Sequence, residues 1–150
     1  MSVEGAATEP VHMVWDYYDG PRQGIADFLG RPHHFINGWD AEREEYGDAY
    51  ALAPIDPGTM ALAREQWQLW LAWKGEFDAG LVDIETHPGR SSGGTRYGEL
   101  QAALDARLAQ SQPRIFARGR FSRVHAGKNG SDPLTVRWTQ VPATEFRDDR

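Results

Sequence analysis

The sequence predicts one α+β domain built on an antiparallel sheet, formed by an N-terminal β-meander and a C-terminal β-hairpin, with two helices packed on one face of that sheet. Strand-like alternation of apolar and polar residues occupies both ends of the chain, and two helical patterns fill the middle. Neither a β-α-β rhythm nor a glycine-rich phosphate loop is present, which argues against Rossmann and P-loop folds. A chain of 150 residues, 40% of them hydrophobic, is long enough to bury one substantial core.

The N-terminal meander is predicted from short β-rich segments that alternate with turns. Residues 11–18 form the first strand, in which every second side chain is apolar. Segments rich in turn-forming residues, at 19–24 and 29–32, separate this strand from returning strands at 25–28 and 33–36. The residues expected to share one face of the first strand are Val11, Met13, Trp15 and Tyr17.

A short acidic stretch and the start of a helix follow the meander. Residues 38–48 have turn-like composition, and 49–53 favour a fourth strand. Asp56 is a good helix N-cap, and Pro57 suits the first helical position because its missing N–H has no intrahelical partner there. Apolar residues at helical spacing then continue towards Gly80, which is the natural stop.

The first helix is rich in tryptophan. Trp67 and Trp70 lie within its broad apolar stripe, so we expect both to be buried against the sheet. Trp73 lies on the flank of the stripe and is expected to be partly exposed, which makes it a candidate ligand contact. Thr95 is the predicted N-cap of a second helix, which ends before Pro113.

The C-terminal hairpin is predicted at 115–124 and 134–141, around an irregular loop at 127–133. Period-two alternation gives each strand two different faces. The apolar face carries Ile115, Ala117, Phe121, Leu134, Val136 and Trp138, and the opposite face carries Arg118, Arg120 and Arg137, with Arg123 nearby.

The ends of the chain are expected to lie outside the domain. Residues 1–10 are polar and suggest a flexible leader, residues 11–142 the single domain, and residues 143–150 a frayed tail. The first ten residues lack the basic and apolar regions of a signal peptide, and the chain has no cysteine and no membrane-length apolar run. We therefore expect a soluble, cytoplasmic protein without membrane contact. Because arginine outnumbers lysine 14 to 2, a GC-rich bacterium is the expected source.

Charge is distributed unevenly along the chain. The net charge is −6, but residues 1–112 carry −10, residues 113–141 carry +5, and residues 142–150 carry −1. Such a split either reflects attraction between two halves of one fold or marks a partner surface.

The stretch Val14-Trp-Asp-Tyr-Tyr-Asp-Gly-Pro-Arg-Gln-Gly-Ile-Ala-Asp-Phe28, followed by Gly30 and Pro32-His-His-Phe35, resembles an uncharacterised family of bacterial hypothetical proteins. Gln66-Trp-Gln-Leu-Trp70 and the His87-Pro88 loop are similar to the same family's pattern. The resemblance covers most of residues 11–110. It implies a bacterial, free-standing domain and implies no activity, substrate or catalytic residue.

The meander holds the first group of candidate site residues, since two adjacent turns can bring polar side chains to one end of a small sheet. Histidine and carboxylates together suit metal binding or acid–base chemistry. His33 and His34 are adjacent on a strand and point to opposite faces, so only one of them can join any single site. The structural alternative pairs Arg22 with Asp16 or Asp27. The group comprises Asp16, Asp19, Arg22, Asp27, His33, His34 and Asp40.

Two further candidates lie elsewhere. The arginine face of the hairpin, Arg118, Arg120 and Arg137, is expected to be solvated or ion-paired within the protein. The alternatives are a protein partner or a nucleic acid, although the aromatic residues of the same strands fall on the opposite face. His87 lies near Ser91 and Ser92 in a loop, but no Gly-x-Ser-x-Gly elbow accompanies them, so a plain surface loop is favoured.

The function that these patterns favour is a non-catalytic binding domain for a protein or peptide partner. The alternative is a small, metal-assisted enzyme that uses the meander group. Nucleic-acid binding by the basic hairpin is a third and unlikely hypothesis, because the whole chain is acidic. We assign no catalytic residue, no metal ligand and no cofactor, and the oligomeric state stays open.

Overall fold

The computed structural model describes residues 8–88, 95–113, 115–123 and 134–150. Six strands pair in chain order, each antiparallel to the next, and the last pairs with the first to close a barrel. The expected open sheet with one helix-covered face is therefore wrong. The strands are β1 (Glu9–Tyr17), β2 (Pro21–Phe28), β3 (Arg31–Asp40), β4 (Glu45–Pro54), β5 (Ile115–Arg123) and β6 (Leu134–Val141).

Closure depends on a short ladder between the first and last strands. Glu9 pairs with Val136, and Pro10 pairs with Thr135. Register shifts interrupt β1 against β2, and another interrupts β3 against β4. Such irregularities bend a strand and increase its twist, which a six-stranded sheet needs in order to meet itself. Residues 9 and 10, expected in the leader, thus belong to the barrel, and residues 1–7 lie outside the described part.

Aromatic rings fill the barrel interior. Phe35 lies at the centre of the group, with ring centroids 5.6 Å from Phe121, 5.9 Å from Tyr50 and 6.1 Å from Trp138. Small barrels are filled by inward side chains in this way. The buried core cluster is Ala26, Phe28, Phe35, Tyr50, Leu52, Ala117, Val136 and Trp138. The apolar face predicted for the hairpin is confirmed, since its members at 117, 136 and 138 lie in this cluster and its arginines are exposed.

The single apolar face predicted for β1 is wrong. Val11 packs on the barrel core, but Trp15 contacts His34, with ring centroids 5.8 Å apart, and Tyr17 is 65% exposed. The register shifts after Val11 and Val14 break the period of two, so alternate residues do not keep one orientation.

The contacts divide the chain into two compact units, of which residues 56–111 form the helical one. Helix α1 (Pro57–Asp78) begins as predicted, with the Asp56 carboxylate accepting a hydrogen bond from the Thr59 N–H at 2.7 Å. Helix α2 (Arg96–Gln110) begins at the predicted Thr95 cap, whose side chain accepts from the Gly98 N–H. A 3₁₀ turn, Ile84–Thr86, lies between the two helices in sequence.

The tryptophans of α1 differ from expectation. Trp67 and Trp70 are only half-buried and stack on each other with centroids 5.0 Å apart. Trp73, expected to be partly exposed, is buried, because the returning segment covers it: its indole N–H donates to Thr86 Oγ1 at 2.8 Å, and the His87 ring lies 4.6 Å away. Burial follows one side of the helix through Met60, Ala63, Gln66 and Trp73.

The C-terminal segment continues from β6 into a 3₁₀ turn, Ala143–Glu145. We expected a frayed tail at 143–150. In the structure the Asp149 N–H donates to the Trp39 carbonyl at 2.9 Å, and Arg150 Nη2 donates to the Asn37 carbonyl at 2.6 Å. A side chain at Gly38 would collide with the Arg147 carbonyl, so the absence of a Cβ there allows the tail to approach β3 closely.

In the ranges that the structure describes, no helix has the length and apolar character required to cross a membrane.

Candidate functional site

Arg22 stands near the start of β2 and is held in place by its surroundings. Its guanidinium donates to the Tyr18 carbonyl at 2.7 Å, the Asp19 carbonyl at 2.9 Å and Asn37 Oδ1 at 2.8 Å. Its Cζ lies 4.4 Å from the centre of the Tyr46 ring, a cation–π contact. The expected pairing of Arg22 with Asp16 or Asp27 is replaced by these neutral acceptors, so its positive charge is fixed in position without being neutralised by them.

Asn37 is the residue that orients Arg22. It is fully buried, at 0% exposure, and besides accepting from Arg22 it donates to the Gly47 carbonyl at 2.9 Å and the Ala49 carbonyl at 3.0 Å. All of its polar atoms therefore have partners, as a buried amide requires. One side chain thus links the position of Arg22 to the backbone of β4.

A cleft of about 650 Å³ opens where β4 and β5 diverge. The ladder between these strands runs from Leu52–Ile115 to Ala49–Arg118 and ends there, while β5 continues along β6 as far as Arg123. We call this opening the basic cleft. Its charged and aromatic lining residues are Arg22, Asp48, Tyr50, Arg118, Arg120 and Arg137, and Thr139 also lines it.

The hairpin arginines lie close together and have no acidic partner among the described residues. Arg120 is the direct cross-strand neighbour of Arg137, and Arg118 lies two residues earlier on the same face. All three side chains are exposed, and none makes a hydrogen bond or ion pair within the described ranges. Like charges directly opposite each other destabilise a sheet. Of the described residues that line the cleft, only Asp48 is acidic.

Tyr50 forms the floor of the basic cleft. Its hydroxyl donates to the Pro21 carbonyl at 2.9 Å. Burial raises the pKa of Tyr50, and nearby Asp48 adds to this, although Arg22 acts in the opposite direction. The phenol therefore stays neutral at physiological pH and serves as a fixed polar surface.

A second cleft, of about 570 Å³, also has Arg22 in its lining. We call it the acidic cleft. The Tyr46 ring lines this cleft and contacts the Trp39 ring edge-on, with centroids 5.0 Å apart. Arg22 Cζ and Arg150 Cζ lie 4.4 Å and 5.6 Å from the centre of the same Tyr46 ring. The carboxylates that line it are Asp16, Asp19, Glu44 and Glu45. Clefts of opposite charge therefore share Arg22 as a wall.

The structure separates the histidines of the meander group from its turn residues. Asp16, Asp19 and Arg22 line one cleft, but His33 is only 6% exposed, with Nδ1 2.8 Å from the Arg31 carbonyl and its ring against Phe28 in the core. His33 therefore lies at the opposite end of β3 from Asn37 and away from these turns.

His34 faces away from the core, as expected for a neighbour of His33. Its Nε2 lies 3.0 Å from Gln23 Nε2, and burial lowers its pKa to about 4. A histidine that is neutral at physiological pH and held in this way is poorly suited to exchange protons near pH 7.

The remaining carboxylates of the group serve local structure. Asp27 Oδ1 lies 2.8 Å from His12 Nε2. Asp40 accepts from the N–H groups of Glu42 and Arg43 in the β3–β4 turn and pairs with Arg147 at 3.7 Å. Within the described segments, no three metal-ligating side chains lie close enough together to hold an ion.

The candidates of the helical unit lie outside either cleft. Trp73 is buried under the segment that contains Thr86, and His87 packs edge-on against Trp73 and 6.5 Å from the ring of Tyr97. The loop residues Ser91 and Ser92, and the hairpin loop at 127–133, fall outside the described residues.

Sequence reasoning missed Asn37, Tyr46 and Asp48. A usable signal existed for Asn37, because it follows His33 and Phe35 at period two on the inward face, and an amide at a core position implies specific hydrogen bonds. No local signal identified Asp48 or Tyr46, because their place in a cleft depends on where the β4–β5 ladder ends.

Comparison of the chain with family models, with curated proteins and with solved structures finds no match. The resemblance suggested by the N-terminal motif therefore stays a prediction.

Proposed function

We propose that the barrel is a non-catalytic binding domain that takes an acidic segment of a protein partner in its basic cleft. The observation that carries this proposal is the cluster of Arg118, Arg120 and Arg137, exposed and without a carboxylate partner among the described residues.

Arginine suits this role because its planar guanidinium donates two parallel hydrogen bonds to a carboxylate. Hydrogen bonds to charged groups each contribute about 1.5–3 kcal/mol. Arg22 adds a charge that Asn37 and two carbonyls already hold in place, so its ordering on binding costs little entropy.

The arrangement favours a protein over a nucleic acid. Nucleic-acid platforms combine basic residues with exposed aromatic rings on which bases stack. Here Phe121 and Trp138 belong to the barrel interior, and the floor residue Tyr50 is buried. The neighbouring acidic cleft would also repel a long polyanion, whereas a protein segment with both signs of charge complements the two clefts.

The test is binding of a fluorescein-labelled oligoglutamate peptide, followed by anisotropy at low salt. The variant carries Arg118→Gln, Arg120→Gln and Arg137→Gln, and the matched control carries Arg31→Gln, Arg64→Gln and Lys74→Gln, which removes the same net charge outside the cleft. At about one order of magnitude per charged hydrogen bond, we expect the first variant to lose about 100-fold or more in affinity and the control to lose little.

Equal losses in the two variants would show that attraction is non-specific. A single-stranded oligonucleotide that binds more tightly than the peptide, and loses affinity in the cleft variant, would replace the protein partner with a nucleic acid.

A further inference from the structure

We infer that the anion taken by the basic cleft is a phosphate monoester, carried by a phosphorylated side chain of the protein partner. The inference rests on the proposed function and specifies its ligand.

The placement of the arginines matches a compact, multidentate anion. Arg120 and Arg137 are paired across β5 and β6, so their Cβ atoms are about 5 Å apart. Arg118 stands two residues along the same face of β5, about 7 Å from Arg120. Three long side chains that start this close together can direct their guanidinium groups to one point, where a tetrahedral phosphate offers three acceptor oxygens.

The charge of the cleft fits a dianion better than a carboxylate. Its described lining contains four arginines and one acidic residue, Asp48. A carboxylate brings one negative charge, whereas a phosphate monoester brings about 1.5–2 at neutral pH. The like-charge contact between Arg120 and Arg137 is relieved more completely by the ligand with the larger charge.

Further features fix the phosphate relative to the rest of a partner. Arg22 is held at the cleft wall by its three hydrogen bonds, and the Thr139 side chain brings a hydroxyl donor to the strand beside Arg118. A volume of about 650 Å³ accommodates a phosphorylated side chain together with adjacent peptide.

The experiment compares acetylated Ala-Ala-X-Ala-Ala peptides in which X is phosphoserine, serine or glutamate, with inorganic phosphate as a further probe. Binding to the whole chain is measured by ¹H–¹⁵N NMR titration. We expect the phosphoserine peptide to bind at least tenfold more tightly than the glutamate peptide and the serine peptide not to bind. The cleft variant should lose this preference, and the control variant with changes at 31, 64 and 74 should keep it.

The phosphate itself supplies a second readout. Its second pKa is about 6, so the dianion fraction, and with it the affinity, should fall about fourfold between about pH 7.5 and about pH 5.5. The charged and titratable groups that face it are Arg22, Asp48, Tyr50, Arg118, Arg120 and Arg137. The glutamate peptide stays ionised over most of this range and should change much less.

Each outcome is informative. If the glutamate peptide binds as tightly as the phosphoserine peptide, the inference is overturned and the proposed function stands. If neither binds, both fail. If inorganic phosphate binds as tightly as the phosphoserine peptide, the cleft recognises free phosphate and the phosphorylated protein segment is overturned.

Discussion

Two groups of exposed arginines on the same barrel differ in whether acidic side chains pair with them. Those beside the β3–β4 turn and in the tail, Arg43, Arg147 and Arg150, all have acidic partners: Arg147 Nε lies 2.7 Å from Asp149, and Arg150 Nε lies 2.9 Å from Asp148. Those of the basic cleft, Arg118, Arg120 and Arg137, have none in the described ranges. The first group ties the tail to β3, whereas the charges of the second are not matched by acidic partners in the described ranges.

The difference shows that arginines of similar exposure can be distinguished by their acidic partners. Both groups are exposed, and exposed ion pairs contribute little to stability. In the tail, however, the same carboxylates also accept backbone hydrogen bonds, as Asp149 does from the Ala41 N–H at 2.8 Å. No such contact involves the hairpin arginines among the described residues, so contacts of this kind do not explain why the three arginines lie close together.

The largest effect on stability is expected at Asn37, which joins Arg22 to β4. Asn37→Leu leaves the Arg22 N–H and two backbone carbonyls without their partner, and each unsatisfied group costs about 1–3 kcal/mol. We expect a loss on the order of 3 kcal/mol in the free energy of unfolding, measured by denaturant titration. Gln140→Leu, at an exposed position of β6, is the control and should change little. A loss below about 1 kcal/mol at Asn37 would show that Arg22 is held by other contacts.

A smaller effect, of opposite sign, is expected in the cleft. Arg120→Thr removes the like-charge pair with Arg137 and places a β-branched residue in a strand. The protein should become more stable by roughly 0.2–1 kcal/mol while binding the oligoglutamate peptide more weakly. Simultaneous loss of stability and binding would mean that Arg120 has a structural partner, which would remove the contrast between the two groups.

The smallest effect is expected in the pH dependence of the stability that Asp149 contributes. The hydrogen bond from Ala41 N–H, followed by the contact with Arg147, holds the pKa of Asp149 below its usual range. A carboxyl with a depressed folded-state pKa stabilises the fold above its unfolded-state pKa and loses that contribution as pH falls through the folded value. Unfolding free energies of Asp149→Asn and the parent should therefore differ at pH 6 and converge under strong acid. A difference that persists unchanged in acid would indicate that the amide disturbs the turn instead.

Local signals in the sequence predicted the helix starts and the two faces of the hairpin, but not the side-chain orientations along β1 or the burial of the tryptophans of α1. The caps at Asp56 and Thr95 and the two faces of the hairpin are confirmed, because each depends on residues only a few positions apart. Closure of the barrel was missed because it pairs Glu9 and Pro10 with residues near the other end of the chain. The register shifts that bend β1 also cannot be recognised from a period-two pattern in the sequence.

The candidate site was predicted in parts. Arg22 was assigned to the meander, and Arg118, Arg120 and Arg137 to the hairpin. That all four line one cleft follows from where the β4–β5 ladder ends, which is a tertiary property. Trp73 illustrates the same limit, since its burial depends on the segment with Thr86 that returns over it.

The most direct test of the difference between the cleft arginines and the tail arginines is to monitor the arginine Nε–Hε signals by NMR during titration with the oligoglutamate peptide. We predict that the signals of Arg118, Arg120 and Arg137 shift together along one saturable curve, while those of Arg147 and Arg150, already paired with Asp149 and Asp148, stay in place. Shifts of equal size in both groups, or shifts confined to Arg147 and Arg150, would contradict it.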